Sequence, residues 1–359
     1  MKKLLLPLIG CLIWGLWACQ SSAPATAIEA AEWPAWEESE LQAWDSEGLN
    51  RLQRYVVDST VFTGIMIVQG GKVVGDYGNI EENSYIASCR KSVLAMLYGP
   101  YVKDGTIDLS LSLEELGIDD VGGLLEIEKR ATIKDLIAAR SGVYHPASNG
   151  GDFLDQAPER GSQEPGAYWL YSNWDFNAAG FIFEKLTGKN IYDEVERQLA
   201  IPLGMQDWER DLQRKSGDTT RSFYRAYHMW FSVRDLARIG QLMLQKGSWQ
   251  GEQLYDPAWI AEMVAPLTSS QEILDNVPGF GRVGYRFGYG YMWWLWDEPD
   301  IPQLNGAYSA LGAMGQSITV YPAIDAVVAL KTNSLYGRRN SGHQRARVLA
   351  LVAQAYRQP

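Results

Sequence analysis

Strand-forming sequence sits at the two ends of this chain with helix-forming sequence between them, and few folds accommodate that order. Val61 to Gln69, then Gly70-Gly71, then Lys72 to Tyr77, reads as a β-hairpin, because Gly-Gly supplies the positive φ of a tight turn. Strand character returns only in Tyr289 to Trp296, Ser317 to Tyr321 and Ala326 to Lys331, ahead of a closing helix around Gln344 to Tyr356. Two distant strand blocks around a helical block predict an α+β domain whose single sheet is built from both chain ends, with a helical insertion over about residues 100–250.

The middle carries its own punctuation. A helix opens at Ser88, and Gly99-Pro100 is expected to kink or end it, since proline removes a backbone donor. Thr132-x-x-Asp135 and Ser232-x-x-Asp235 resemble capping boxes, opening helices that Gly142 and Gly247 close. Phe176 to Leu186 has apolar residues at helical spacing and stops before Gly188. Nearer the start, the acidic, Trp-bearing stretch Glu29 to Tyr55 scans as helix.

The first residues read as a targeting segment. Lys2 and Lys3 precede an apolar run from Leu4 to Trp17 that is too short for a stable transmembrane span, which is the pattern of a secretory signal. Its end, Leu16-Trp17-Ala18-Cys19, resembles a bacterial lipoprotein cleavage site, with Cys19 as the lipidated first residue. A plain secretory peptide cut after Ala25 or Ala27 is the alternative. The expected layout is a signal at 1–18, a linker at 19–28 and one domain at 29–359. Gln20 suits outer-membrane sorting, so the domain is expected to be exported, periplasm-facing and held at a membrane by lipid. With Cys11 in the signal and Cys19 lipidated, Cys89 stands alone and no disulfide framework follows. A net charge of −11, from 43 acidic and 32 basic residues with no basic run between aromatics, argues against a nucleic-acid partner.

The chemistry gathers at two short phrases. Ser88 is the one serine followed three residues later by a lysine, Lys91, and on a helix these positions share a face. A serine hydroxyl needs a base within reach, and Lys91 serves only if burial lowers its pKa and leaves it neutral. Tyr171 offers a proton relay between Ser88 and a leaving group, and Asn173 is placed to hold Lys91 or a substrate amide. Because Ser88 opens a helix, its own N–H is a natural oxyanion donor. The second donor is assigned to Gly312-Ala313-Met314-Gly315-Gln316, at the N–H of Ala313, since glycine lets backbone approach a ligand.

Taken in order, Ser88-Cys89-Arg90-Lys91-Ser92, Asp135-Leu136-Ile137-Ala138-Ala139-Arg140-Ser141-Gly142, Tyr171-Ser172-Asn173, Ile201-Pro202-Leu203-Gly204-Met205, Asp235-Leu236-Ala237-Arg238 and Gly312-Ala313-Met314-Gly315-Gln316 make the chain similar to the serine β-lactamase and penicillin-binding-protein superfamily. The likeness is to its class C-like branch of esterases, D-amino-acid peptidases and aminohexanoate-oligomer hydrolases. It implies a β-lactamase-like fold with an antiparallel sheet flanked by helices. It also implies an acyl-enzyme on Ser88, proton handling by Lys91 and Tyr171, and no cofactor. The implied substrate is a small ester or amide.

The third motif of that superfamily, Lys-Thr-Gly before a glycine-rich turn, is replaced by Ala307-Tyr308-Ser309-Ala310-Leu311. Lys331-Thr332-Asn333 reads instead as a strand end. Losing that cation weakens carboxylate recognition and favours an ester or neutral amide over a β-lactam. Arg282, Arg286, Arg338 and Arg339 are candidates to replace it. Of the aromatics Tyr144, Trp169, Trp174, Trp230, Tyr289, Tyr291, Trp293, Trp294 and Trp296, about two thirds are expected in the core by composition of such domains, and the rest along a substrate cleft. His145, His228 and His343 are too scattered for zinc or a Ser-His-Asp triad, and no G-x-S-x-G elbow occurs. A competing reading is a lipid-anchored penicillin-binding-like protein that holds cell-wall peptides with little turnover.

Overall fold

The computed structural model describes residues 32–36 and 43–357. Seven strands form one antiparallel sheet: β1 (Gly64–Gln69), β2 (Lys72–Gly78), β3 (Phe287–Tyr289), β4 (Trp294–Trp296), β5 (Tyr308–Leu311), β6 (Ser317–Tyr321) and β7 (Ala326–Lys331). Their order is β2-β1-β7-β6-β5-β4-β3, so the first strand of the chain pairs with the last, Gly64 opposite Lys331 and Gln69 opposite Ala326. The sheet is thus closed from both ends of the sequence, as the placement of strand signals predicts. Gly70 and Gly71, at φ 54° and 75°, turn the β1–β2 hairpin.

Every residue of β1 and β7 is buried, because helices cover both faces. On the Ile65 and Ile67 side lies α1 (Ser46–Ser59), whose Leu49, Leu52 and Val56 line one cavity with those two isoleucines. The closing helix α5 (Gly342–Ala355) packs beside α1, and Tyr321 of β6 donates to its Leu349 carbonyl at 3.1 Å. The other face carries α4 (Val233–Leu244), which crosses β1, β6 and β7 so closely that a Cβ at Gly240 would lie 2.3 Å from Val327 Cγ1. The sequence reading put α4 in the central helical block, but its apolar side belongs to the sheet.

Several expectations need correction. The helix expected over Glu29 to Tyr55 starts only at Ser46, where Asp45 caps it by accepting from the Gly48 N–H at 2.8 Å. Ahead of it the chain around Pro34 to Trp36 pairs with Val73 at the edge of β2, through bonds of 2.8 and 3.1 Å. Residues 29–31 and 37–42 of that stretch lie outside the described residues. Tyr289 to Trp296 is not one strand but two, β3 and β4, with Tyr289 paired to Trp294 across a reversal in which Met292 takes φ 58°. The strand β5 was missed, because Ala307 to Leu311 lacks β-branched residues.

The helix α2 (Cys89–Lys103) runs through Pro100 rather than ending there. Its residues from Cys89 to Gly99 are all buried, and Trp259 lies against Gly99 while donating to the Ala95 carbonyl at 3.0 Å, so packing holds the helix across one missing hydrogen bond. Thr132 and Asp135 form the full reciprocal cap, yet the helix they open ends at Ile137, well before Gly142. At Ser232 only half of the box forms. Ser232 accepts from the Asp235 N–H at 3.1 Å, while the Asp235 carboxylate turns to the N–H groups of Gln206 and Asp207. The middle of the chain also holds short strand pairs, Arg214–Ser216 with Ala226–His228 and Ser248–Trp249 with Glu252–Gln253.

Candidate active site

The first turn of α2 is held in place before any catalytic group is considered. Ser84–Tyr85 pairs with Trp230–Phe231, and the Ile86 N–H donates to the Met229 carbonyl at 3.0 Å. Ala87 then adopts φ 50°, a left-handed conformation that costs a non-glycine residue about 1–3 kcal/mol and turns the chain sharply into the helix. Ser88 follows as the N-cap, half-buried, and the next three N–H groups are taken up by backbone carbonyls, Cys89 to Ile86 at 3.2 Å, Arg90 to Ala87 at 3.5 Å and Lys91 to Ser88 at 3.0 Å. Strain directly ahead of the candidate nucleophile sets where its hydroxyl sits.

Lys91 lies one turn on and is 1% exposed. Its Nζ is 3.2 Å from Ser88 Oγ, 2.6 Å from Tyr171 OH and 2.6 Å from Asn173 Oδ1. The stem rests among rings, with Nζ 4.1 Å from the Tyr171 ring centre and 4.5 Å from that of Phe176. Burial pushes the Lys91 ammonium well below its usual range, helped by the neighbouring Arg90 guanidinium and opposed by the carboxylates of Asp152 and Asp175. Burial also raises the Tyr171 phenol above its ordinary value, offset in part by its hydrogen bond with Ser88. The two shifts run in opposite directions: burial favours the neutral amine of Lys91 and the neutral phenol of Tyr171.

Tyr171 and Asn173 reach the site from the start of α3 (Asn173–Thr187), where Ser172 caps the helix through the Trp174 N–H at 3.2 Å. Both ends of the Asn173 amide are used: Oδ1 accepts from Lys91, and Nδ2 donates to the Gly150 carbonyl at 2.9 Å. Of its two expected roles the geometry therefore favours holding the lysine. The Tyr171 ring stands between Phe176, Trp294 and Phe153, at centroid distances of 4.9, 5.5 and 6.0 Å. Partly buried Phe153 and Phe280, 6.1 Å apart, make the region beside Tyr171 apolar. Eight of the nine aromatics singled out in the sequence are buried and only Trp230 is half-buried, so the core share exceeds the expected two thirds.

The turn after β5 comes up against the start of α2. A Cβ on Gly312 would lie 2.6 Å from the Ile86 carbonyl and 3.2 Å from Cys89 Sγ, so only glycine fits this approach. Ala313 is exposed on the turn, and Met314 takes φ 66°. Cys89 is buried and donates to the Ala310 carbonyl at 3.5 Å, and burial pushes its thiol up to about 12. It therefore acts as a packing residue. Cys19 lies outside the described residues.

Lys331 is the last residue of β7, and its ammonium is bonded to the backbone carbonyls of Glu82, Ser84 and Phe231. Arg282, Arg286, Arg338 and Arg339 are all exposed. The histidines are engaged elsewhere: His145 with the Val121 and Pro146 carbonyls, His228 with Tyr85 and His343 with the Val283 carbonyl. Among the described residues no group of His, Cys, Asp and Glu is placed to hold a metal ion.

Three neighbours escaped the sequence reading. Asp152, half-buried, accepts from the Asn173 N–H at 3.1 Å. Arg90 is buried, stacked 4.3 Å from the Tyr227 ring centre and bonded to Asn177 Oδ1 at 3.2 Å. Arg345, on α5, donates from Nη1 to the Gly312 carbonyl at 2.6 Å. Arg90 adjoins Lys91 in sequence and offered a signal, whereas Asp152 and Arg345 come close only through the fold.

With this geometry in view, the likenesses to known proteins can be placed. A family model described as Beta-lactamase matches residues 56–353. The 6-aminohexanoate-dimer hydrolase of Paenarthrobacter ureafaciens is 22% identical over 303 residues, covering 76% of this chain and 72% of that protein. Among solved structures, a putative 6-aminohexanoate-dimer hydrolase from Bacillus anthracis superposes with a TM-score of 0.66 at 18% identity, over 91% of this chain and 88% of that one. A family VIII carboxylesterase superposes with a TM-score of 0.61 at 15% identity, over 88% and 97% of the two chains. At these identities the structural likeness speaks to the fold.

Proposed function

The chain belongs to the beta-lactamase family and is a serine hydrolase of it, and on that footing we propose that it hydrolyses a carboxylic ester or amide through an acyl-enzyme on Ser88. The observation that carries the reading is the buried Lys91 amine within hydrogen-bond reach of Ser88, Tyr171 and Asn173 at once. A neutral amine has two N–H donors and one lone pair. One N–H is committed to Asn173 Oδ1, which can only accept, and the lone pair is left to receive a hydroxyl proton.

In the proposed cycle Ser88 Oγ attacks the substrate carbonyl carbon while its proton passes to Lys91. The N–H groups of Ser88 and Ala313 receive the oxyanion. Collapse breaks the bond to the leaving alcohol or amine, which takes its proton by way of Tyr171. Water then attacks the acyl carbon, returns its proton through the same groups and releases the acid.

The substrate class is supported by what is missing. Lys331 is occupied by three carbonyls, and the four arginines considered as replacements are all exposed. The apolar region of Phe153, Phe280 and Trp294 suits an acyl chain. Relatives described as a 6-aminohexanoate-dimer hydrolase and a carboxylesterase agree with an amide or ester.

Intact-mass measurement after fluorophosphonate treatment of the purified domain tests the proposal. An adduct on Ser88, lost with all turnover in S88A at unchanged melting temperature, is the expected result. A folded protein that gives no adduct would favour the binding-protein reading, and S88A with most of its activity would remove Ser88 as nucleophile. Penicillin in the same assay is expected to label weakly or not at all. We also propose export and lipidation at Cys19, on the strength of residues 2–19 alone. Palmitate labelling in a bacterial host, absent in C19A, is the expected outcome.

A further inference from the structure

The closing helix holds a buried cation against the oxyanion turn. Arg345 is 8% exposed, makes no ion pair among the described residues, and its Nε has no hydrogen-bond partner. A buried guanidinium without a counter-ion carries a desolvation cost of several kcal/mol. Among the described residues the guanidinium donates to the Gly312 carbonyl, at 2.6 Å.

That carbonyl and the N–H of Ala313 belong to the same planar peptide, and in a trans peptide the two point in opposite directions. Whatever fixes the carbonyl fixes the direction of the N–H. The preceding peptide is held too, since the Gly312 N–H donates to the Gln316 carbonyl at 2.8 Å, and Gly312 packs against Ile86 and Cys89, the residues on either side of the Ala87-Ser88 step. As the first residue of its turn, Ala313 has no acceptor within the turn for its N–H.

We infer that Arg345 is a positioning residue for the oxyanion donor: holding the Gly312 carbonyl, it aims the Ala313 N–H at the oxygen of the tetrahedral intermediate. The inference rests on the acyl-enzyme reading above. The cation also polarises the peptide it binds, which makes the N–H at the far end a stronger donor. Burial pulls Arg345 down only to about 10, so it stays charged at neutral pH, and the negative charge it lacks in the resting protein is the one that forms on the substrate.

Three measurements on the whole domain test this: kcat and KM for a p-nitrophenyl acyl ester, affinity for an aryl trifluoromethyl ketone, and thermal melting, each for wild type, R345M and R345K. Outright loss of an oxyanion donor costs about 10²–10³ in kcat. R345M is expected to lower kcat by roughly 30-fold or more with KM within about threefold, to weaken the ketone in parallel, and to be partly rescued in R345K. A folded R345M with near-normal kcat, a loss confined to KM, or an unchanged ketone affinity would overturn the inference. Should R345M not fold, R345K decides, since its shorter point charge is expected to lower both kcat and ketone affinity, and wild-type values for both would refute the role. Wild type that takes the fluorophosphonate on Ser88 while R345M turns over normally sinks this inference alone; wild type that takes none removes it together with the acyl-enzyme reading.

Discussion

Replacing Lys91 by methionine separates its chemistry from its packing. Methionine fills most of the lysine stem, while the Nζ that lies over the Tyr171 and Phe176 rings is lost together with its three bonds to Ser88, Tyr171 and Asn173. Lost hydrogen bonds of about 1 kcal/mol each are offset by no longer desolvating an amine, so stability should change by no more than about 2 kcal/mol. Removing a general base costs about 10²–10⁴ in rate, or roughly 3–5 kcal/mol of barrier. The pH dependence gives a second reading. A base works only when neutral, so wild-type kcat/KM should rise with pH through the Lys91 pKa and level off well below the ordinary lysine value of 10.5, because burial depresses it. The sign for stability is the same: between the depressed folded pKa and the unfolded one the unfolded chain binds the extra proton, so this group's contribution grows with pH. Ester hydrolysis followed from pH 5 to 10, alongside melting curves, measures both. K91M retaining more than about a tenth of the wild-type rate, or keeping the same acid limb, would refute the assignment of Lys91 as base.

Tyr171→Phe keeps the ring against Phe176 and Trp294 and removes only the hydroxyl at 2.6 Å from Lys91. Acylation measured by fluorophosphonate labelling should slow by about 10²-fold or more, and a rate within threefold of wild type would take the phenol out of the proton path. Gly312→Val places a side chain where even Cβ would be 2.6 Å from the Ile86 carbonyl, so turnover should fall by at least about tenfold; normal kinetics would show that the turn does not serve the reaction. Gly240→Val drives a side chain into Val327 and Ile318, with Cβ only 2.3 and 2.9 Å from them, and should destabilise the fold by about 1–3 kcal/mol. An unchanged urea midpoint would refute the close packing of α4 on the sheet.

The sequence by itself determined the features that are local in the chain. Gly70-Gly71 sets the hairpin, Ser88 and Lys91 meet on one helical turn because i and i+3 always do, and Thr132 with Asp135 caps a helix regardless of what surrounds it. That the main sheet is built from both chain ends was likewise legible, whereas the short strand pairs in the middle of the chain were not. Local signals failed where packing overrode them. Pro100 stays helical because Trp259 and the buried length of α2 hold it, Asp235 leaves its cap for Gln206 and Asp207, and the short β5 has no strand signature of its own. Only the tertiary structure decided which polar groups surround the amine. Asn173 and Tyr171 are 82 and 80 residues from Lys91, and Arg345 is 33 from Gly312, so no periodicity links them. Burial is also a property of the fold alone: the same lysine on a solvated helix would keep its ordinary pKa, and it is its enclosure by the fold that lowers it.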